Sequence, residues 1–355
     1  MSRRESQINL NWAALLPLKK RLVDLAYAAV VAELETSPKP GLVDLYNNGS
    51  HLDMNVDLFR RGALVLREFF GHVVELAFAR AQSTSRSYAE DFTALRWLGR
   101  VWERRLLGET AGVNTQKGML FAFSLVLYAI ADLSFRQPAD AEVEIPAIRA
   151  EISALGACAL KDYEYVRTEL AEEPVLDLPW TKEMPEKIRK QAAELGSFQQ
   201  QLQRGHGLQQ RLKGSAGGAR EAAAAGYPAV FELALPRLKE ALSFGFSQNS
   251  ARIWALLALI SEISDSNLYH RLGEAEARAL QADLGIKLAK LRALYQSEGL
   301  AGEPLGTVRR LRRVREQQLI DFVRDLDQEF IARNASPGGS ADQLALAIFF
   351  QDYCA

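Results

Sequence analysis

The chain has 355 residues, 48% hydrophobic and 25% charged, an ordinary globular composition with length enough for a sizeable core. Its 43 Lys and Arg offset 44 Asp and Glu, so no overall field draws it to nucleic acid or to an anionic membrane surface, and any anion must be gripped locally. Two cysteines, Cys158 and Cys354, lie far apart without a CxxC or a His at ligand spacing, which argues against a disulfide framework or a zinc site and fits a reducing cytoplasm.

Near the N-terminus, Lys19, Lys20, Arg21 and Asp24 interrupt the apolar residues from Leu15 to Leu25, so no signal peptide is expected. Apolar residues are dense from Leu58 to Phe78, from Lys117 to Leu133 and from Tyr227 to Leu242, which predicts mostly buried helices. No run reaches the length of a membrane span. Val143 and Ile145 alternate as in a strand, but Pro146 ends the pattern and no partner strand is visible. Residues 135–203 are polar and carry five prolines, the composition of an insertion or lid. Further on, Ile253, Leu256, Leu257, Ile260 and Ile263, and then Leu319, Phe322, Val323, Leu326 and Phe330, recur at helical spacing. The expected fold is all-α: a single multi-helix globular domain over residues 1–355, with active-site loops between roughly ten or more helices and no internal repeat.

Five breaks between these helices carry reactive side chains. The first, SPKPGLVDLYNNGSHLDM (37–54), holds Lys39, Asp44, Asn48, His51 and Asp53. GVNTQKG (112–118) holds Asn114 and Lys117, and the stretch from Arg204 to Pro228 holds His206 and Arg220. DSNLYHR (265–271) holds Asp265, Asn267 and Arg271; NASPGGSADQ (334–343) holds Gly338, Gly339, Ser340 and Asp342. Ser340 and Gln343 have the spacing of a capping box, and the two glycines before them would offer backbone amides to an anion. Three of the four histidines fall in these breaks, while His72 reads as a satisfied core residue. Carboxylates, amides and cations at helix ends suggest a polyphosphate and Mg²⁺ site, with Lys or Arg on phosphate and Asp on the metal.

In this order, SPKPGLVD, NNGSHLDM, GVNTQKG, GAR before AGYP, DSN and RNASPGGSAD resemble the motifs of the triphosphoribosyl-dephospho-CoA synthase family, over about Leu34 to Phe350. The resemblance implies an all-helical cytoplasmic enzyme that takes ATP and 3′-dephospho-CoA as substrates. The ribose C1′ of ATP is attacked by the 2′-hydroxyl of dephospho-CoA, adenine leaves, and the triphosphate stays on the transferred sugar. The product is the precursor of a prosthetic group for an acyl carrier protein. No nucleic acid or membrane partner is implied, and the sequence admits a homodimer.

On this reading His51, Asp53 and Asp44 are the catalytic candidates, with His51 or Asp53 as general base. Asp44, Asp265 and Asp342 would hold Mg²⁺. Lys39, Asn48, Asn114, Lys117, His206, Arg220, Asn267, Arg271, Gly338, Gly339 and Ser340 would bind substrate. The chain departs from the family at Gln116, where a His is usual, at Ala222 and Ala224, where acids are usual, and at Leu272 in place of Gly. These departures leave two alternatives open: the same transfer to another nucleotide or sugar acceptor, or a catalytically silent nucleotide-binding protein.

Overall fold

The structure, a computed structural model, describes residues 3–83, 86–137, 142–161, 218–297 and 305–355. Twelve α-helices and one π-helical turn account for these residues, and among them there is no strand, in agreement with the all-α expectation. By their internal contacts the described residues divide into two helical units: those within 1–28, 60–161 and 219–227 form one, and those within 29–59 and 228–355 the other.

The first unit holds most of α1 (Arg3–Glu35) and α2 (Val56–Ala81), and all of α3 (Tyr88–Glu109), α4 (Lys117–Arg136), α5 (Ile145–Leu160) and α6 (Ala219–Ala224). Its centre is α4, apolar on every face because it is buried on nearly every face from Met119 to Asp132. Contrary to the sequence expectation, α4 is long and apolar enough to cross a membrane, but 72% of its apolar window is buried, as in a core helix. Phe70 packs on Phe123 at 5.1 Å between ring centroids, and His72 lies against Trp102 at 5.2 Å with Nδ1 on Glu75 at 3.0 Å. His72 is thus a satisfied packing residue. At the crossing of α5 and α6 a Cβ on Gly156 would lie 2.4 Å from the Ala224 backbone nitrogen, so only glycine permits the approach. The alternation at Val143 and Ile145 resolves into the lead-in of α5, whose first turn accommodates Pro146. Ile148, Ile152, Leu155 and Ala159 of α5 are buried, so this part of the polar 135–203 stretch contributes to the core. Residues 162–203, where the lid reading was centred, lie outside the described residues.

The second unit contains the end of α1, the loop 36–55, a π-helical turn (Ala229–Ala234), α7 (Leu235–Ser243), α8 (Gln248–Glu262), α9 (Ser266–Leu272), α10 (Glu274–Ser297), α11 (Leu305–Ala332) and α12 (Gly338–Tyr353). The expected helix over 227–242 is broken into two kinds of turn because Pro236 lacks an N–H and cannot continue the α-helical ladder. Buried faces of α8 and α12 make the core, and Phe231 meets Phe350 at 4.7 Å.

Candidate functional site

In the second unit the first, fourth and fifth sequence breaks fold onto one another. Asp44 organises the loop 36–55 from inside: Oδ1 accepts the amides of Tyr46 at 2.7 Å and Asn47 at 3.0 Å, and Oδ2 the amide of Lys39 at 2.8 Å. Gly41 and Gly49 adopt φ of 67° and 57°, and a Cβ on Gly41 would fall 2.1 Å from the carbonyl oxygen of Ala335. The loop is therefore pressed against the turn between α11 and α12. Asp327 fastens it by accepting the Gly41 amide and the Asn47 side-chain amide, each at 2.8 Å. Burial holds the Asp327 carboxyl above its ordinary range, and those two donors pull it back.

His51 joins three segments. The Arg271 guanidinium donates to Nδ1 at 3.0 Å, so that nitrogen is the acceptor and Nε2 carries the proton toward Ser336 Oγ at 2.8 Å. Arg271 also donates to the Ser50 carbonyl at 2.9 Å and to Asn334 Oδ1 at 2.7 Å. Burial, and then the Arg271 charge, lower the His51 pKa to about 4, against an upward pull from Asp53. Arg271 and Ser336 thus engage both ring nitrogens of His51, and the lowered pKa keeps the ring neutral. Asp53 is exposed beside the same pair.

At the start of α12, the buried Asp265 carboxylate serves two helices. Oδ1 accepts the amides of Asn267 at 3.0 Å and Leu268 at 3.3 Å, capping α9; Oδ2 accepts the Ser340 amide at 2.8 Å and its hydroxyl at 3.0 Å. Gly338 and Gly339 permit this: a Cβ on them would lie 2.6 Å from Asn267 Nδ2 and 3.2 Å from the Asp265 carboxylate. The capping box expected from Ser340 and Gln343 is not formed. The hydroxyl of Ser340 turns to Asp265, a charged acceptor already docked there, and the buried Gln343 Oε1 has no partner among the described residues.

Lys39, expected on phosphate, is buried with its ammonium on Glu33 Oε1 at 2.6 Å and on the Glu33 carbonyl at 2.9 Å. Asp342 differs from the other acids. It is partly exposed, no donor reaches its carboxylate among the described residues, and burial together with the charges of Glu33 and Asp265 pushes its pKa well up. Among the described residues no three His, Cys, Asp or Glu converge as a metal cluster. Mg²⁺ needs fewer, because it keeps waters and phosphate oxygens as ligands.

The structure thus gathers Lys39, Asp44, His51, Asp53, Asp265, Asn267, Arg271, Gly338, Gly339, Ser340 and Asp342 in one unit, with exposed Asn48 on the same loop accepting the His51 amide at 3.2 Å. Asn114, Lys117 and Arg220 belong to the first unit, where Lys117 pairs with Glu103 at 2.6 Å and Arg220 lies over Phe121 at 5.7 Å. His206 lies outside the described residues. Sequence reasoning passed over Glu33, Asp327, Asn334 and Ser336. Of these, Ser336 and Asn334 stood inside a quoted motif, whereas Glu33 and Asp327 look like any acid on a helix.

The model of the ATP:dephospho-CoA triphosphoribosyl transferase (CitG) family matches residues 19–354. The 2-(5″-triphosphoribosyl)-3′-dephosphocoenzyme-A synthase of Haemophilus ducreyi is 31% identical over 344 residues, covering 94% of this chain and 90% of the relative. A probable synthase of the same name from Pseudomonas aeruginosa is 34% identical over 341 residues, 96% of this chain and 93% of the relative. A third, from Pseudomonas fluorescens, is 31% identical over 331 residues, with 93% and 90% covered. No solved structure matches the chain. With nearly its whole length matched by the family and by these relatives, the chain belongs to the ATP:dephospho-CoA triphosphoribosyl transferase family.

Proposed function

We propose that the protein moves the 5-triphosphoribosyl group of ATP to the ribose 2′-hydroxyl of 3′-dephospho-CoA, releasing adenine, in a site built on the loop 36–55 and the start of α12. The observation that carries this placement is the contrast among the acids. Asp44 and Asp265 are saturated by backbone donors, while Asp342 keeps an uncommitted carboxylate beside Glu33 and Asp265. A partly exposed carboxylate without a donor suits a divalent cation, so Asp342 would hold Mg²⁺. The metal would neutralise polyphosphate charge when bound.

The chain's own groups do the rest. Asp53, exposed beside Arg271, takes the proton of the attacking hydroxyl as its oxygen bonds to C1′. The C1′–N9 bond breaks with its electron pair on adenine, which ends with a proton. His51 and Arg271 keep Asp53 and its loop in place, and the dense bonding around Asp44 makes that placement rigid. Lys39 and the amides facing Asp265 are internal supports. The product serves, on this reading, as a prosthetic-group precursor for an acyl carrier protein in the cytoplasm. Chromatography of adenine formed from ATP, with and without dephospho-CoA, tests the proposal. Release that depends on dephospho-CoA supports it, and release that ignores dephospho-CoA but requires another hydroxyl compound overturns the acceptor.

A further inference from the structure

The outer face of α11 carries charges that its own unit leaves unmatched. Arg315, Leu319, Val323, Leu326 and Phe330 are buried along the inner face, and the opposite face presents Arg310, Arg313, Val314, Gln317, Asp321 and Asp325, all exposed. Among the described residues Arg310, Arg313 and Asp325 have neither an ion pair nor a hydrogen bond. Asp321 is held from within its own helix, by Gln317 Nε2 at 2.8 Å and by Arg324 at 3.5 Å. Other arginines of the second unit are matched: Arg237, Arg278, Arg292, Arg324 and Arg333 each have a carboxylate within 3.5 Å. Arg310 and Arg313 are also like charges one turn apart in the first half of a helix, toward the positive end of its dipole, which disfavours the helix that carries them. Something outside the chain is needed to offset this.

The order of charge along the face says what. Arg310 and Asp325 stand equally far, about 11 Å along the axis, from the midpoint between Gln317 and Gln318, and Arg313 and Asp321 lie about 7 Å and about 5 Å from it on opposite sides. A two-fold axis through that midpoint lays a second α11 antiparallel on the first. Arg310 of each copy then faces Asp325 of the other, Arg313 faces Asp321, and Val314, 46% exposed in the single chain, is covered. A parallel pairing would set arginine against arginine. We propose that this face of α11 is a self-complementary surface through which two copies of the chain pair, antiparallel and head against tail in charge. Such self-complementarity is what a closed two-fold interface requires. A nucleic acid or an anionic membrane drawn by the arginines would meet Asp321 and Asp325 on the same face and be repelled. One helix face is small for a permanent interface, so the pair is a weak one that salt dissociates.

Sedimentation of the full chain tests this. The wild-type protein should be largely dimeric at about 100 µM in about 0.05 M salt, and its dissociation constant should rise about tenfold or more in about 0.5 M salt. Arg310→Glu with Arg313→Glu makes the face mainly acidic, and Asp321→Lys with Asp325→Lys makes it basic. Each double variant alone should be monomeric. Mixed in equal amounts, the two should pair with each other, a rescue that misfolded chains would not show. A mixture that stays monomeric overturns the proposal, and so do variants that dimerise as the wild type does, since the interface is then elsewhere. A wild-type chain that is monomeric in low salt overturns it too and leaves the arginines to an acidic partner. Should a charge-reversed variant lose its helical circular dichroism, the neutral pair Arg310→Gln with Arg313→Gln must abolish the salt-sensitive dimer, and a dimer that survives in it overturns the proposal.

Discussion

Asp265 Oδ2 receives both the backbone amide of Ser340, at 2.8 Å, and the hydroxyl of that residue, at 3.0 Å. Its other oxygen caps α9. One buried side chain therefore fixes where two helices begin. In Asp265→Asn the new NH₂ must face backbone donors whichever way the amide is turned. The variant should lose about 3 kcal/mol of stability, read as a lower urea midpoint at unchanged m. Wild-type stability would mean that the two helix starts are positioned by their packing alone.

Asp342 gives a prediction with opposite signs for stability and function. The unfolded chain releases this proton near 3.8, and the folded chain, with burial and two like charges against it, holds the proton to higher pH. Between those values the folded form binds more protons, so in metal-free buffer stability falls as pH rises through the window. Asp342→Asn cannot ionise. It should be more stable than wild type at pH 8, with the gain vanishing toward pH 4, and should lose Mg²⁺-dependent ATP binding by calorimetry. A variant that is destabilised at pH 8, or that binds ATP and Mg²⁺ normally, removes Asp342 from the site.

The Lys39–Glu33 pair is 2% exposed on both sides. Lys39→Met leaves a buried carboxylate uncompensated and should cost about 3–5 kcal/mol in chemical denaturation. Adding Glu33→Gln should restore much of that loss, because the charge that needed the ammonium is gone. If Lys39 instead gripped phosphate, the double variant would fold well and fail to bind ATP. We expect it to bind.

The ring of His51 should titrate near pH 4 when followed by proton NMR of its carbon-bound hydrogens. Its folded pKa lies below the ordinary 6.5, so its contribution to stability is complete above that value and is lost as pH falls toward 4. Arg271→Met removes the facing charge and frees Nδ1, and the midpoint should rise. A midpoint near 6.5 in the wild-type protein would show that the three-segment bridge is not made.

The helical framework was readable wherever burial imposes a period, as at Ile253, Leu256, Leu257 and Ile260 of α8, since a helix must present its apolar side chains every three or four residues. The break at Pro236 was less readable, because proline is tolerated in a first turn and only the π-helical turn before it shows that a new helix has begun. At the site, Gly and Asp marked the loops correctly, since tight turns need both. Partners were not readable. Lys39 looked available because its neutralising Glu33 sits in an unremarkable helical turn, and Ser340 looked like a cap because the competing acceptor, Asp265, is 75 residues away. Local spacing reveals which groups can bond, and tertiary closure decides which do.

The ties across the loop 36–55 also set an order of events during synthesis. Gly41 bonds to a side chain 286 residues later, and Ser50 and His51 to groups 285 residues later. While the chain is being made, the loop carrying Asp44 and Asp53 waits without its clamp through most of translation, and it closes only after the turn before α12 has left the ribosome. A nascent chain arrested before residue 327 would hold every residue of that loop without Asp327, Ala335 and Ser336, three of the partners that fasten it.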